Sequence, residues 1–257
     1  MPRLTARKTR LGDASVAGFD RVALTGLYLE GTSIDRAIPE SEPLAVIRRE
    51  TELVSVPLVP EIRLYQATDP ISLWQRMEFS AGRADLDPPF WAAAWAGGQA
   101  LARYVLDNPE TVESRRVIDI AAGSGLVAIA AAIAGAATVT AYDIDPIAAV
   151  AITANASANS VPVNARCEDI LNRADGPSPD ADVMLVADAF YARDLADNVM
   201  RFLERGLARG AAVLIGDFGR AFLPVDRLRP LATYDVAGLG AVEGTDVKRT
   251  TVWALLA

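Results

Sequence analysis

Histidine is absent from the 257 residues. Its absence removes imidazole acid–base catalysis, Ser–His triads and the usual zinc and copper ligands, so no metal site is expected. Chemistry must come from Asp, Glu, Tyr, Lys, Arg or a bound organic group. Cysteine occurs once, at Cys167. That excludes an internal disulfide framework and points to a reducing compartment. A small, buried strand residue is the expectation for Cys167 itself. Lysine occurs only at Lys8 and Lys248, the remaining basic side chains being Arg, which reads as compositional bias. Long apolar runs are missing as well. Stretches such as Leu126–Val139 are interrupted by Gly and fall short of the roughly twenty residues of a membrane span, so a soluble, cytoplasmic protein is expected. A net charge of −8 lacks the basic field of a nucleic-acid binder, so neither nucleic acid nor membrane is an expected partner.

What is present is ample apolar material, 51% of the chain, enough for one large α/β core. Residues 1–12 carry Arg3, Arg7, Lys8 and Arg10 and no acid, without the apolar core of a signal peptide. Residues 1–45 read as an N-terminal extension, 46–110 as a lid or substrate-side region and 111–257 as the core. Leu53–Val59 reads as a strand interrupted by Pro57 and Pro60, with a short strand at Glu61–Tyr65. Arg83–Pro89 reads as a linker, and Gly97–Leu106 as a helix with Leu101, Tyr104 and Val105 on its apolar side. Regular alternation follows. Strands are expected at Val117–Ala121, Thr138–Ile144, Asn164–Asp169, Ala181–Asp188 and Ala211–Asp217. Helices fit at Gly125–Ala134, Pro146–Asn159 and Ala192–Gly206, and Asp175–Asp180 reads as a loop. Thr233–Ala237 and Arg249–Leu255 close the chain as two strands without an intervening helix. The fold class is α/β: a three-layer, Rossmann-like sandwich with a seven-stranded, mostly parallel sheet and an antiparallel C-terminal hairpin.

Val117–Gly125, Val-Ile-Asp-Ile-Ala-Ala-Gly-Ser-Gly, runs from an apolar strand into a small-residue turn, and Asp143 follows about twenty residues later, the layout of a nucleoside-binding crevice. Gly123-Ser124-Gly125-Leu126-Val127-Ala128 satisfies the loose dinucleotide pattern, so NAD is one reading. Against it, the chain has no His or Tyr-x-x-x-Lys for hydride chemistry, and the terminal hairpin leaves no separate substrate domain. S-adenosylmethionine is the other. It needs no phosphate site, only a turn that lets its methionine part lie on backbone, which Gly123 and Gly125 permit, and a carboxylate for the ribose hydroxyls, which Asp143 supplies.

Several blocks in order make the choice. Asp87-Pro88-Pro89-Phe90-Trp91-Ala92-Ala93-Ala94-Trp95-Ala96-Gly97-Gly98, Asp143–Ala148, Asp188-Ala189-Phe190-Tyr191 and Leu214-Ile215-Gly216-Asp217 resemble the corresponding segments of class I (seven-strand) S-adenosylmethionine-dependent methyltransferases. The nearest branch is the electron-transfer flavoprotein β subunit lysine methyltransferases and their bacterial relatives. The resemblance covers roughly residues 46–257. It implies a protein-lysine N-methyltransferase acting on that subunit or on a ribosomal protein, cytoplasmic or, in a eukaryote, in the mitochondrial matrix. A small-amine (nicotinamide-like) N-methyltransferase and a non-catalytic binding module are the alternatives. The cofactor residues it implies are Trp91, Trp95, Gly98, Asp119, Gly123, Gly125, Asp143, Ile144, Asp169 and Asp188. Trp91 and Trp95, four apart, are expected on one helical face, Ile144 on the adenine face, and Asp169 on the adenine amino group. One departure stands in the turn: Ala121 replaces the first glycine of many relatives and fits if its φ is negative.

Methyl transfer from a sulfonium has a good leaving group, so catalysis is mainly positioning and desolvation, within reach of a chain without histidine. A lysine nucleophile, with a pKa of about 10.4, must first lose a proton, which costs about 4 kcal/mol near neutral pH. A dry, aromatic-lined slot lowers that cost, whereas a free carboxylate beside the amine raises it. Asp188 and Tyr191 of the D-x-x-Y motif are the catalytic candidates, Asp188 docking the ammonium and Tyr191 with Phe190 walling the channel.

Overall fold

The computed structural model describes residues 43–172, 180–237 and 247–256. The expected extension therefore lies outside the described residues except at its end, as does most of the expected loop at Asp175–Asp180. Helix α1 (Pro43–Glu50) precedes a hairpin of β1 (Glu52–Val56) and β2 (Val59–Gln66). Pro57 and Leu58 form its turn, with Val56 paired to Val59. What read as one interrupted strand is thus two. Pro60 is tolerated inside β2 because a two-stranded sheet has only edge strands.

Helix α2 (Pro70–Ala81) had no counterpart in the sequence reading. Its ends are nonetheless written locally. The Asp69 side chain accepts hydrogen bonds from Ile71 and Ser72 N–H, Pro70 occupies the first turn, and Gly82 closes the helix at φ 64°. A 3₁₀ turn (Phe90–Ala92) leads to α3 (Ala96–Asp107), whose residues 96–102 are buried.

The main sheet holds β3 (Arg116–Ile120), β4 (Thr138–Asp143), β5 (Asn164–Cys167), β6 (Val183–Ala187), β7 (Ala212–Asp217), β8 (Leu228–Ala237) and β9 (Val247–Leu255). Its order is β5-β4-β3-β6-β7-β9-β8. The first five strands are parallel, and β9 runs antiparallel to both β7 and β8. This is the expected α/β sandwich. Helix α4 (Leu126–Ile133) follows Gly125, α5 (Pro146–Ala158) starts on an Asp145 cap whose carboxylate accepts the Ile147 N–H at 2.7 Å, and α6 (Arg193–Leu207) precedes β7. One apolar cluster joins α3, α4 and the hairpin to one sheet face, and a second joins α6 to the other.

β8 begins five residues before the expected strand. The extension runs through Pro230, which is tolerated because β8 is an edge strand and its register shifts at Pro230–Ala232, so the missing N–H breaks no ladder. Cys167 also departs from expectation. It is exposed, because β5 is the opposite edge strand and is half open along its length.

Candidate active site

Parallel register brings the ends of β3, β4, β6 and β7 to one edge of the sheet. Ile120 lies beside Tyr142 and Val186, and Ala187 beside Gly216. The chain then turns sharply. Ala121, Gly123 and Gly125 have φ of 54°, 52° and 78°. The two glycines adopt this region at no steric cost, but Ala121 contradicts the expectation of a negative φ. It sits left-handed with its methyl exposed.

Asp143 ties this turn to the next strand. Its Oδ2 accepts the Gly123 N–H at 2.8 Å and its Oδ1 the Asp145 N–H at 3.0 Å. Ile144 beside it is 68% exposed, a large apolar surface offered at the rim. Asp119, 1% exposed beneath the turn, accepts the Ala128 N–H at 3.0 Å. Burial above all pushes its carboxyl up to about 7, with the nearby Asp143 charge adding to the shift. Burial likewise raises Asp143 and Asp145. Asp169 lies on the exposed loop after β5, where its carboxylate accepts the N–H groups of Leu171 and Asn172 and the Asn172 side-chain amide.

The segment before α3 closes the other side. A Cβ on Gly123 would stand 3.6 Å from the Phe90 carbonyl, so the 3₁₀ turn lies directly over the glycine turn. Trp91 and Trp95 do not share a helical face, because Phe90–Ala92 is a 3₁₀ turn and α3 starts only at Ala96. Trp91 is fully buried among Ile47, Leu73, Ala148 and Ala151, which makes it a core residue joining α1, α2 and α5. Trp95 donates from Nε1 to the Phe90 carbonyl at 2.8 Å, and its ring is tilted 5.8 Å from that of Phe90.

Asp188 follows β6 at φ 59°. Its carboxylate accepts the N–H of Gly97 at 3.0 Å and of Gly98 at 2.7 Å, and pairs with Arg220. Arg220 also reaches Asp217 at 3.2 Å. Asp188 is thus already compensated, which departs from its expected role as an open ammonium dock. Phe190 does not wall a channel either. It is fully buried against the α6 side of the sheet. The ring beside the half-buried Tyr191 is that of Phe90, 5.7 Å away. Burial raises the Tyr191 hydroxyl to about 12. Phe90 and Arg220 were not singled out from the sequence. Phe90 lies within the Asp87–Gly98 block, whereas only its place three residues after Asp217 hints at Arg220.

A half-buried carboxylate with acceptor capacity beyond its two N–H donors, an exposed isoleucine next to it and a glycine turn under a bent loop fit the ribose, adenine and methionine parts of S-adenosylmethionine. Fold and site together define a class I S-adenosylmethionine-dependent methyltransferase. The family model described as ribosomal protein L11 methyltransferase (PrmA) matches residues 99–210. The electron transfer flavoprotein beta subunit lysine methyltransferase of Xenopus laevis is 39% identical over 221 residues, covering 82% of this chain and 86% of its own. That of Rattus norvegicus is 42% identical over 182 residues, 68% of each chain. Among solved structures, a T. thermophilus 16S rRNA methyltransferase (RsmC) in complex with AdoMet and guanosine shares the fold at a TM-score of 0.51 and 17% identity, covering 80% of this chain and 50% of that one. The chain belongs to the electron transfer flavoprotein beta subunit lysine methyltransferase family. No helix among the described residues is long and apolar enough to cross a membrane.

Proposed function

We propose that this chain methylates lysine side chains of a protein, with the electron transfer flavoprotein β subunit as acceptor. The observation that carries this reading is the 39% identity to a relative of that name across 82% of the chain, which includes the site. The match of residues 99–210 to ribosomal protein L11 methyltransferase makes a ribosomal protein the second candidate acceptor. Residues 46–95 then form the acceptor side, and α3 belongs with the core at 111–257 because it packs on β7, β8 and β9. A cytoplasmic location, or the mitochondrial matrix in a eukaryote, follows from such acceptors.

When bound, S-adenosylmethionine supplies a methyl carbon on a sulfonium; the amine lone pair forms the N–C bond as the C–S bond breaks, the electron pair staying on sulfur. The residues of the chain do the rest. Asp143 would hold the ribose, the turn at Gly123 and Gly125, braced from beneath by the buried Asp119, would hold the methionine part, and Ile144 would pack on the adenine, with Asp169 at its edge. Gly98 and Trp95 close the site from the α3 side, while Trp91 braces the loop that carries them. Phe90 and Tyr191 wall the amine slot and exclude water, which favours the neutral amine. The Tyr191 hydroxyl, raised to about 12, stays protonated and orients the amine as a hydrogen-bonding group.

Methyl-labelled cofactor incubated with the protein and each purified acceptor in turn, and with the protein in a cell lysate separated into protein and small-molecule fractions, followed by peptide mass analysis, tests this. Label on lysine of the flavoprotein subunit is the expected result. Label confined to a small-molecule fraction would overturn it in favour of a small-amine acceptor.

A further inference from the structure

Arg220 makes the least expected contact at the site. Its guanidinium, 7% exposed, pairs with Asp188 and with the fully buried Asp217. It lies 4.1 Å from the Phe218 ring, and Lys248 Nζ lies 4.3 Å from that same ring. Asp188 meanwhile accepts the Gly97 and Gly98 N–H groups. Its carboxylate therefore meets a guanidinium and two amides of the first turn of α3, and its charge is not left open to the slot beside Tyr191.

This bears on the acceptor proton. A bare carboxylate beside an amine stabilises the ammonium, which cannot attack carbon. A carboxylate neutralised by a fixed guanidinium does so far less. We infer that Arg220 is a positioning residue for methyl transfer: it cancels the Asp188 charge and pins that carboxylate on α3, so that the incoming lysine sheds its proton before it reacts. The inference rests on the lysine reading above. The proton passes to solvent, the neutral amine forms the N–C bond as the C–S bond breaks, and N-methylammonium leaves. Among the described residues, the ionisable groups around Asp188 are Asp217 and Arg220 at and just after the end of β7, with Lys248 of β9 over the neighbouring Phe218 ring. α3 contributes only amides there, and Tyr191, Asp87 and Asp143 lie on the slot side.

The test is kcat against pH, at saturating lysine-bearing acceptor, for wild type, Arg220→Gln, Arg220→Lys and Asp188→Asn, with S-adenosylhomocysteine affinity measured by calorimetry. The wild-type rate rises with pH as the amine deprotonates. In Arg220→Gln the midpoint moves up by about one pH unit, roughly a tenfold loss on the acid side that disappears at high pH. Arg220→Lys returns the midpoint towards wild type. Asp188→Asn, which removes the carboxylate and leaves the cation, moves it below wild type while slowing transfer. Affinity for S-adenosylhomocysteine is unchanged in Arg220→Gln. A uniform loss at every pH with a fixed midpoint would make Arg220 merely structural and overturn the inference. Should Arg220→Gln not fold, Asp188→Asn decides the sign, and a midpoint at or above wild type overturns the inference. A wild type that labels no lysine refutes the proposed function, whereas an active wild type with an insensitive midpoint refutes this inference alone.

Discussion

At the scale of single residues, Ala121 carries strain in an unusual place. An L-residue at φ 54° costs roughly 1–2 kcal/mol relative to the right-handed region, and its exposed methyl gains no packing in return. Glycine removes that strain but gives back about 0.4–1 kcal/mol through a more flexible unfolded chain. Ala121→Gly is therefore expected to raise unfolding stability by about 0.5–1 kcal/mol, read from urea denaturation of the cofactor-free protein. Equal or lower stability would mean that the turn relaxes around alanine at no cost. Tyr191 supports a second prediction at this scale. With its hydroxyl raised to about 12, the group holds its proton throughout the working range and cannot serve as a base. Tyr191→Phe keeps the ring against Phe90 and loses one hydrogen bond. It is expected to lower kcat by about tenfold without moving the pH midpoint. A shifted midpoint would instead give the hydroxyl a part in the proton transfer.

At the scale of elements, the site depends on how closely α3 crosses β7. A Cβ on Gly97 would fall well inside contact distance of the Gly216 carbonyl and 2.7 Å from Asp188 Oδ2, and one on Gly216 would press on the Gly97 carbonyl in the same way. The backbones touch, so the Gly97 and Gly98 amides reach Asp188 directly. Gly97→Ala is expected to lower stability by about 1–3 kcal/mol in denaturant and to reduce transfer by pushing the amides off Asp188. Wild-type stability with full activity would show that α3 can shift without consequence. Much at this scale was legible in the sequence. The alternation from β3 to β7, the Asp145-Pro146 start of α5 and the closing hairpin are all written in local patterns that the fold obeys. The misses have physical reasons. α2 carries its caps at Asp69 and Gly82, but its apolar residues Ile71, Leu73, Trp74, Met77 and Phe79 do not form a clean stripe. Trp91 and Trp95 match helical spacing, yet only packing against α1, α2 and α5 decides that Trp91 is core. Arg220 was not legible, because its meaning depends on Asp188, 32 residues earlier in the chain and one strand away.

At the scale of the whole molecule, a group of buried carboxyls stands where function needs it and stability does not. Asp119, Asp143, Asp145 and Asp217 gather at one edge of the sheet, each raised mainly by burial. A carboxyl whose folded pKa lies above its unfolded value near 3.8 binds its proton more tightly in the native state. Its contribution is full below that value and is lost as pH rises towards the folded pKa, the reverse of a salt-bridged carboxylate. For Asp119 the window runs from 3.8 to about 7. At 1.36 kcal/mol per unit this amounts to a loss of up to about 4 kcal/mol across the window. Other groups titrate there too, so the difference between two curves is the quantity to measure. Asp119→Asn keeps the side-chain shape and an oxygen for the Ala128 N–H but cannot ionise. Relative to this variant, the cofactor-free wild type is expected to lose stability steadily from about pH 4 to about pH 7 in urea titrations. Parallel curves would mean that Asp119 ionises freely in its buried position. Curves that separate as pH rises, the wild type falling below Asp119→Asn, would show that the fold holds an ionisation penalty at its binding edge, a penalty that a cationic cofactor arriving there relieves.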